Sequence, residues 1–213
     1  MTIQVMVQAM TAALKGLGPP GVAIRHRVIS TGDEDALLPS ETLTLRTSAL
    51  KVRRQSGAVR IVARQLLSTF GVHDAALPRT ESGAPLWPPG FVGSLAHDAS
   101  VAVAAAASAE RYVALGIDIE PNEELPPELV DVVTTLTERQ QYSADILQSR
   151  LLFAIKEAVF KATNPLDSVF LDFQDIIVDL NAKQAFIRNG RRINFAMCNA
   201  PCVVALAYIE RKA

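Results

Sequence analysis

Apolar residues recur along this chain in two rhythms, and the switches between them mark out its elements. Near the start, Val5, Met6, Ala9, Met10, Ala13 and Leu14 share one face of a short helix, which Gly16 and the run Gly18-Pro19-Pro20-Gly21 bring to an end. Val22 to Ile29 alternates loosely, as a strand does, with Arg25 and Arg27 on one side, and the cluster Thr31 to Asp35 reads as a loop. A long helix is predicted from about Ser48 to Phe70. Val59, Val62, Ala63, Leu66, Leu67 and Phe70 form its apolar stripe, and Gly71 stands where a C-terminal cap belongs. Leu77 to Gly93 carries Pro78, Pro85, Pro88 and Pro89 and reads as a loop, with Trp87 as a packing anchor.

Ser100 to Ala107 has the small, continuously apolar character of a buried strand. Tyr112 to Glu120 alternates: Leu115, Ile117 and Ile119 point one way, Gly116, Asp118 and Glu120 the other. Leu136 to Gln140 reads as a helix start capped by Thr137. Residues Leu151, Leu152, Ile155, Ala158, Val159 and Ala162 then give the buried face of a second long helix, expected to stop near Asn164-Pro165. From Val169 to Ile209 the alternating segments Ile176 to Leu180, Ala185 to Arg188 and Cys202 to Ile209, with Asn189-Gly190 as a hairpin turn, predict an antiparallel sheet. The order strand, helix, strands, strand, helix, strands makes this a mixed α/β (α+β) chain with no repeat legible residue by residue.

Composition adds limits. Hydrophobic residues make up 49% and charged residues 20%, ordinary for a globular protein. A net charge of -1 gives no general attraction to nucleic acid, and no apolar run approaches the roughly 18 to 20 residues a membrane span requires. Met1 to Leu14 lacks a basic leader. Cys198 and Cys202 suit reduced core residues of a cytoplasmic protein better than a disulfide framework or a zinc site. Charge is unevenly placed. Arg46, Lys51, Arg53, Arg54, Arg60 and Arg64 meet no acid between Thr42 and His73, whereas Asp118, Glu120, Glu123, Glu124, Glu128, Asp131, Glu138 and Asp145 are opposed only by Arg139. A ligand both anionic and metal-bound suits such a split.

Two constellations carry chemistry. Asp118 and Glu120 share a strand face, roughly 7 Å apart along the strand, and a shared cation relieves the repulsion of such a pair. Glu157 and Lys161 lie one helical turn apart, a spacing that also fits an ordinary surface ion pair. Arg53, Arg60 and Arg64 project to one side of their helix, either as a solvated basic face or as a dock for phosphate. His97 stands among small residues that leave room for a ligand.

Gly116-Ile117-Asp118-Ile119-Glu120 and Phe153-Ala154-Ile155-Lys156-Glu157-Ala158-Val159-Phe160-Lys161-Ala162 resemble the paired signatures of the 4'-phosphopantetheinyl transferases, siderophore-type (enterobactin synthase component D-like) branch. Pro85-Leu86-Trp87-Pro88 with Gly93-Ser94-Leu95-Ala96-His97 is similar to the family's middle motif, and Lys51 to Arg64 to its first basic helix. The resemblance spans about residues 45 to 175. It implies transfer of the phosphopantetheine arm of coenzyme A to a serine of an acyl, peptidyl or aryl carrier protein, with adenosine 3',5'-bisphosphate released. It also implies two similar α/β halves related by a pseudo-twofold, the active site in the cleft between them: 1–111 binding the coenzyme A phosphates, 112–213 binding magnesium and carrying catalysis.

By the same resemblance Asp118, Glu120 and Glu157 are Mg²⁺ ligands, Glu157 and Lys161 the catalytic pair, and Arg53, Arg60, Arg79, His97, Asp118, Glu157 and Lys161 coenzyme A contacts; Arg64 supports its helix. A monomer in the cytoplasm, without nucleic acid or membrane partners, is the expectation, with siderophore or other nonribosomal peptide assembly as a suggested setting and polyketide or fatty-acid carriers as open alternatives. Ala96, Ala84, Val52 and Ser56 depart from the family's pattern on the nucleotide side. Those departures keep open a non-catalytic coenzyme A- or carrier-binding homologue, and a different Mg²⁺-dependent phosphate-transfer enzyme is the third reading.

Overall fold

The computed structural model describes residues 2–45, 47–142, 146–167 and 169–212. Helix α1 (Ile3–Leu14) opens the chain, its first turn capped by the Thr2 side chain, and strand β1 (Ala23–Val28) follows. The acidic cluster read as a loop is partly a 3-10 turn, Asp33–Ala36, followed by a one-turn helix α2 (Pro39–Thr42) that no periodicity announced. Helix α3 (Leu50–Thr69) is the long basic helix. Strands β2 (Phe91–His97), β3 (Val101–Ser108) and β4 (Tyr112–Pro121) come next. Helices α4 (Pro127–Val133), α5 (Leu136–Tyr142) and α6 (Ile146–Asp167) then lead into strands β5 (Ile176–Asp179), β6 (Gln184–Ile187), β7 (Arg192–Cys198) and β8 (Cys202–Glu210).

Three expected boundaries move. β2 begins at Phe91, inside the stretch read as loop; beyond Pro89 the amides are available again, and Phe91 to His97 pair antiparallel with Ser108 to Ala102. The start of α5 is capped by Thr135 rather than Thr137. The Glu138 amide donates to Thr135 Oγ1 at 3.2 Å, and the Thr135 amide donates to Glu138 Oε2 at 2.8 Å. Helix α6 continues past Pro165 to Asp167, because so near its end a proline forfeits little of the hydrogen-bond ladder.

Burial explains the architecture. β3 is apolar on both faces: Ala102, Ala104 and Ala106 pack under Val59, Val62, Ala63 and Leu66 of α3, while Val101, Val103 and Ala105 meet Leu115, Ile117 and Ile119 of β4 and Val204 and Leu206 of β8. The other face of the five-stranded sheet, order β4-β8-β7-β6-β5, packs through Phe195, Val203, Ala205 and Ala207 on Leu152, Ile155, Ala158 and Val159 of α6. The layers therefore run α3, the β1-β3-β2 sheet, the five-stranded sheet, α6: an α+β fold with antiparallel sheets inside and a long helix on each outer face. Among the described residues no helix is long and apolar enough to cross a membrane.

Two glycines set close approaches. A Cβ on Gly116 would lie 1.9 Å from the Ala158 carbonyl oxygen, so only glycine lets α6 rest on β4. A Cβ on Gly57 would lie 1.8 Å from the Asp33 carbonyl oxygen, which brings the acidic turn onto α3. There Glu34 takes two bonds from Arg54, each 2.9 Å, and buried Glu41 pairs with Arg64 at 2.9 Å. The basic helix is thus partly neutralised by acids that precede it in sequence.

A buried ion pair ties α4, α5 and α6 together. Lys156, fully buried, donates to Glu138 Oε2 at 2.7 Å and to the carbonyls of Val133 at 2.8 Å and Phe173 at 3.0 Å, and Glu138 Oε1 accepts from the Val178 amide at 2.9 Å. Burial holds the Lys156 ammonium below its ordinary pKa. Removing one partner of such a pair strands the other charge in the core. Lys156→Met is expected to lose about 3–5 kcal/mol in urea unfolding, and the double variant Lys156→Met, Glu138→Leu distinctly less.

Candidate active site

The carboxylates approach one another from β4 and α6. Asp118 stands mid-strand on the face that Gly116 opens to α6, paired across the sheet with Ala205, whose small side chain leaves the space to the helix. On α6 the spacing Arg150, Glu157, Lys161 places all three on one stripe, two turns and then one turn apart. Lys161 Nζ donates to Asp118 Oδ1 at 2.6 Å and lies 3.3 Å from the Ile117 carbonyl. Arg150 Nη1 donates to Glu120 Oε2 at 2.8 Å.

Burial raises the pKa of Asp118 despite the Lys161 ammonium beside it. Burial and then the Asp118 charge raise those of Glu120 and Glu157 as well. Asp118 is thus the shared neighbour of both glutamates. As they lie, no three His, Cys, Asp or Glu side chains among the described residues stand together closely enough to hold a metal ion. The donors nevertheless fit one in kind. Asp118 Oδ2 is buried without a hydrogen-bond partner, and hard carboxylate oxygens under mutual repulsion suit Mg²⁺.

Next to this acidic group lies a basic one. Arg60, Arg79, His97 and Lys161 line a cavity of about 330 Å³ together with Ser56, Gly83 and Ala96. Arg60, only 1% exposed, is held by the Leu77 carbonyl at 3.0 Å and the Ser56 carbonyl at 3.1 Å, with Glu41 at 3.6 Å. Fixing a guanidinium in this way prepays the ordering that a phosphate would otherwise demand. Arg53 is not among the lining residues; it is half-buried, with its Nε lacking a partner. An adjoining cavity of about 340 Å³ shares Gly83, Pro85, Leu95 and Lys161 and is mostly apolar beyond them, lined by Trp87, Phe91, Leu115 and Phe160 with Ser82, Ser94 and Asn164 as its polar members. The Trp87 indole packs on Gly93, where a Cβ would lie 2.4 Å from the ring, and its N–H is buried without a partner.

Two residues escaped the sequence reading. Arg150, which grips Glu120, carries a legible signal: it lies two turns before Glu157 on the same stripe. Glu41, which holds Arg64 and stands beside Arg60, is one residue outside the acid-free window and gives no periodic signal at all.

A raised carboxyl pKa has a sign in stability. The folded state disfavours ionised Glu157, so whatever stability the protonated acid contributes is lost as the pH rises through its folded pKa. Metal-free Glu157→Gln is therefore expected to melt above the wild type at pH 7.5. The gap should narrow as the pH is lowered towards the ordinary glutamate value of 4.5, which a series of thermal melts would follow.

Comparison with known proteins identifies the family. Residues 39–107 match the family model for the 4'-phosphopantetheinyl transferase N-terminal domain, and residues 114–202 match that for the 4'-phosphopantetheinyl transferase superfamily. The chain is 34% identical over 165 residues to the 4'-phosphopantetheinyl transferase Svp of Streptomyces mobaraensis, covering 73% of this chain and 67% of that protein. It is 37% identical over 155 residues to the 4'-phosphopantetheinyl transferase Npt of Nocardia iowensis, covering 71% and 70%. Enterobactin synthase component D of Salmonella typhimurium is 34% identical over 124 residues, covering 55% and 51%. From these matches, the chain belongs to the 4'-phosphopantetheinyl transferase superfamily, in its siderophore-type branch.

Proposed function

We propose that this transferase moves the 4'-phosphopantetheine arm of coenzyme A onto a serine of an acyl, peptidyl or aryl carrier protein, with Mg²⁺ as its metal. One observation carries the reading. Lys161 lies at once against buried Asp118 and in the wall of the cavity built by Arg60, Arg79 and His97, so acidic and phosphate-binding groups meet at one side chain.

In this reading the coenzyme A phosphates enter the basic cavity, where Arg60, Arg79, His97 and Lys161 compensate their charge. Arg53, two turns before Arg60 on α3 but outside the lining, takes no part in this reading. A magnesium ion held by Asp118, Glu120 and Glu157 would neutralise and orient the pyrophosphate. Glu157, its pKa raised by burial, accepts the serine proton. The serine oxygen forms its bond to the pantetheine-bearing phosphorus as the bond to adenosine 3',5'-bisphosphate breaks, and Lys161 stabilises the departing charge. Ala96 brings no hydroxyl to the cavity, which costs a neutral hydrogen bond of about 0.5–1.5 kcal/mol in donor affinity and leaves the reacting groups intact.

The halves 1–111 and 112–213 divide the labour, the first supplying Arg60, Arg79 and His97 and the second the carboxylates and Lys161. With both in one chain the working unit is a monomer. Its place in this reading is the cytoplasm, where carrier proteins of siderophore, other nonribosomal peptide, polyketide or fatty-acid assembly are all candidate acceptors.

Incubating aryl, peptidyl and acyl apo-carrier proteins with coenzyme A and Mg²⁺ should add the phosphopantetheine mass to at least one of them by mass spectrometry. No gain on any carrier defeats the reading. Glu157→Gln should retain the fold by circular dichroism and lose transfer by roughly 100-fold or more, in line with removal of a positioned general base.

A further inference from the structure

The side chain that grips Glu120 has a part of its own. We infer that Arg150 is a positioning residue for the divalent-cation site, holding one oxygen of Glu120 so that the other faces Asp118 and Glu157. The inference rests on the reading of these three carboxylates as cation donors. Arg150 is 8% exposed. Its Nη1 donates to Glu120 Oε2 at 2.8 Å, its Nη2 to the Glu124 carbonyl at 2.9 Å, and its Nε to the Glu123 carbonyl at 3.3 Å.

Two of these three bonds end on main-chain oxygens of the turn that follows β4. The guanidinium is thus anchored whether or not Glu120 is present, and acts as a fixed post rather than as a charge that travels with the glutamate. Glu120 needs such a post and Asp118 does not. Asp118 has a short side chain in mid-strand, 6% exposed and enclosed between β4 and α6. Glu120 lies one residue before the end of β4, half-buried, on a longer side chain with more rotamers to lose. A planar fork that spends one donor on the carboxylate and two on the turn fixes side chain and backbone together, which an ammonium on a flexible stem cannot do.

Partners that orient a ligating carboxylate typically change metal affinity by about 10- to 100-fold when removed. The opposing effect is charge: Arg150 also competes with the cation for Glu120. Its anchoring to Glu123 and Glu124 makes orientation the stronger of the two.

The test is a titration of metal-free protein with Mn²⁺ alone, reading free Mn²⁺ by electron paramagnetic resonance, so that no turnover is involved. Arg150→Gln should weaken Mn²⁺ binding roughly 10- to 100-fold, and Arg150→Lys should fall between it and the wild type. In a Glu120→Gln background, Arg150→Gln should have no further effect, while coenzyme A affinity without metal stays that of the parent. If Arg150→Gln does not fold, the same cycle is run with Arg150→Lys. Unchanged or tighter Mn²⁺ binding in the Arg150 variants overturns the proposal, as does an equal loss in the Glu120→Gln background. A wild type that binds no Mn²⁺, or a Glu120→Gln variant that binds it undiminished, defeats instead the cation reading beneath it.

Discussion

The contact of α6 with β4 at Gly116 governs the site. A helix usually stands off a sheet by the depth of its side chains, and here the Ala158 carbonyl comes down where a Cβ would be. That approach brings Lys161 within 2.6 Å of a mid-strand aspartate without either side chain leaving its own element. The alanines of β8 serve the same end, since Ala205 and Ala207 on the shared face keep the strand beside β4 equally low. The chemistry is therefore a product of packing. Small residues in the core determine where the charged ones meet.

Such a meeting is costly in isolation. Three carboxylates drawn out of water all have raised pKa values, by burial first and, for Glu120 and Glu157, by the Asp118 charge next, and the structure offsets the cost with an ammonium on Asp118 and a guanidinium on Glu120. The nearby Lys156–Glu138 pair is of another kind. It is sealed from solvent and closed by backbone partners, and it locks α4 and α5 to the helix that carries Glu157. Adjacent residues of one motif thus do unlike work: Lys156 faces inward and holds the scaffold, while Glu157 faces the site.

Much of this was legible in one dimension, and the limits are instructive. The alternation of Leu115, Ile117 and Ile119 with Asp118 and Glu120 is a period-two signal that burial enforces, and the strand and its faces follow from it. The stripe of α6 is equally periodic. Periodicity is silent where an element is short or held by side chains: α2, α4 and the 3-10 turn at Asp33 owe their place to prolines, close backbone approach and arginine partners from α3. The basic face of α3 looked unopposed because its partners, Glu34 and Glu41, lie outside the helix. Of the arginines expected at the phosphates, Arg60 and Arg79 reach the cavity and Arg53 does not. Helical spacing gives direction but not reach.

The packing of Trp87 on Gly93 bears on how this protein is observed. It is the one tryptophan in 213 residues, and its ring forms part of the wall of the cavity beside Lys161. Near-ultraviolet emission excited at the red edge consequently originates in a single place, with no second indole to dilute it. The molecule contains a native optical probe at the edge of its own site, and a signal that in most proteins averages over the whole fold is here a local one.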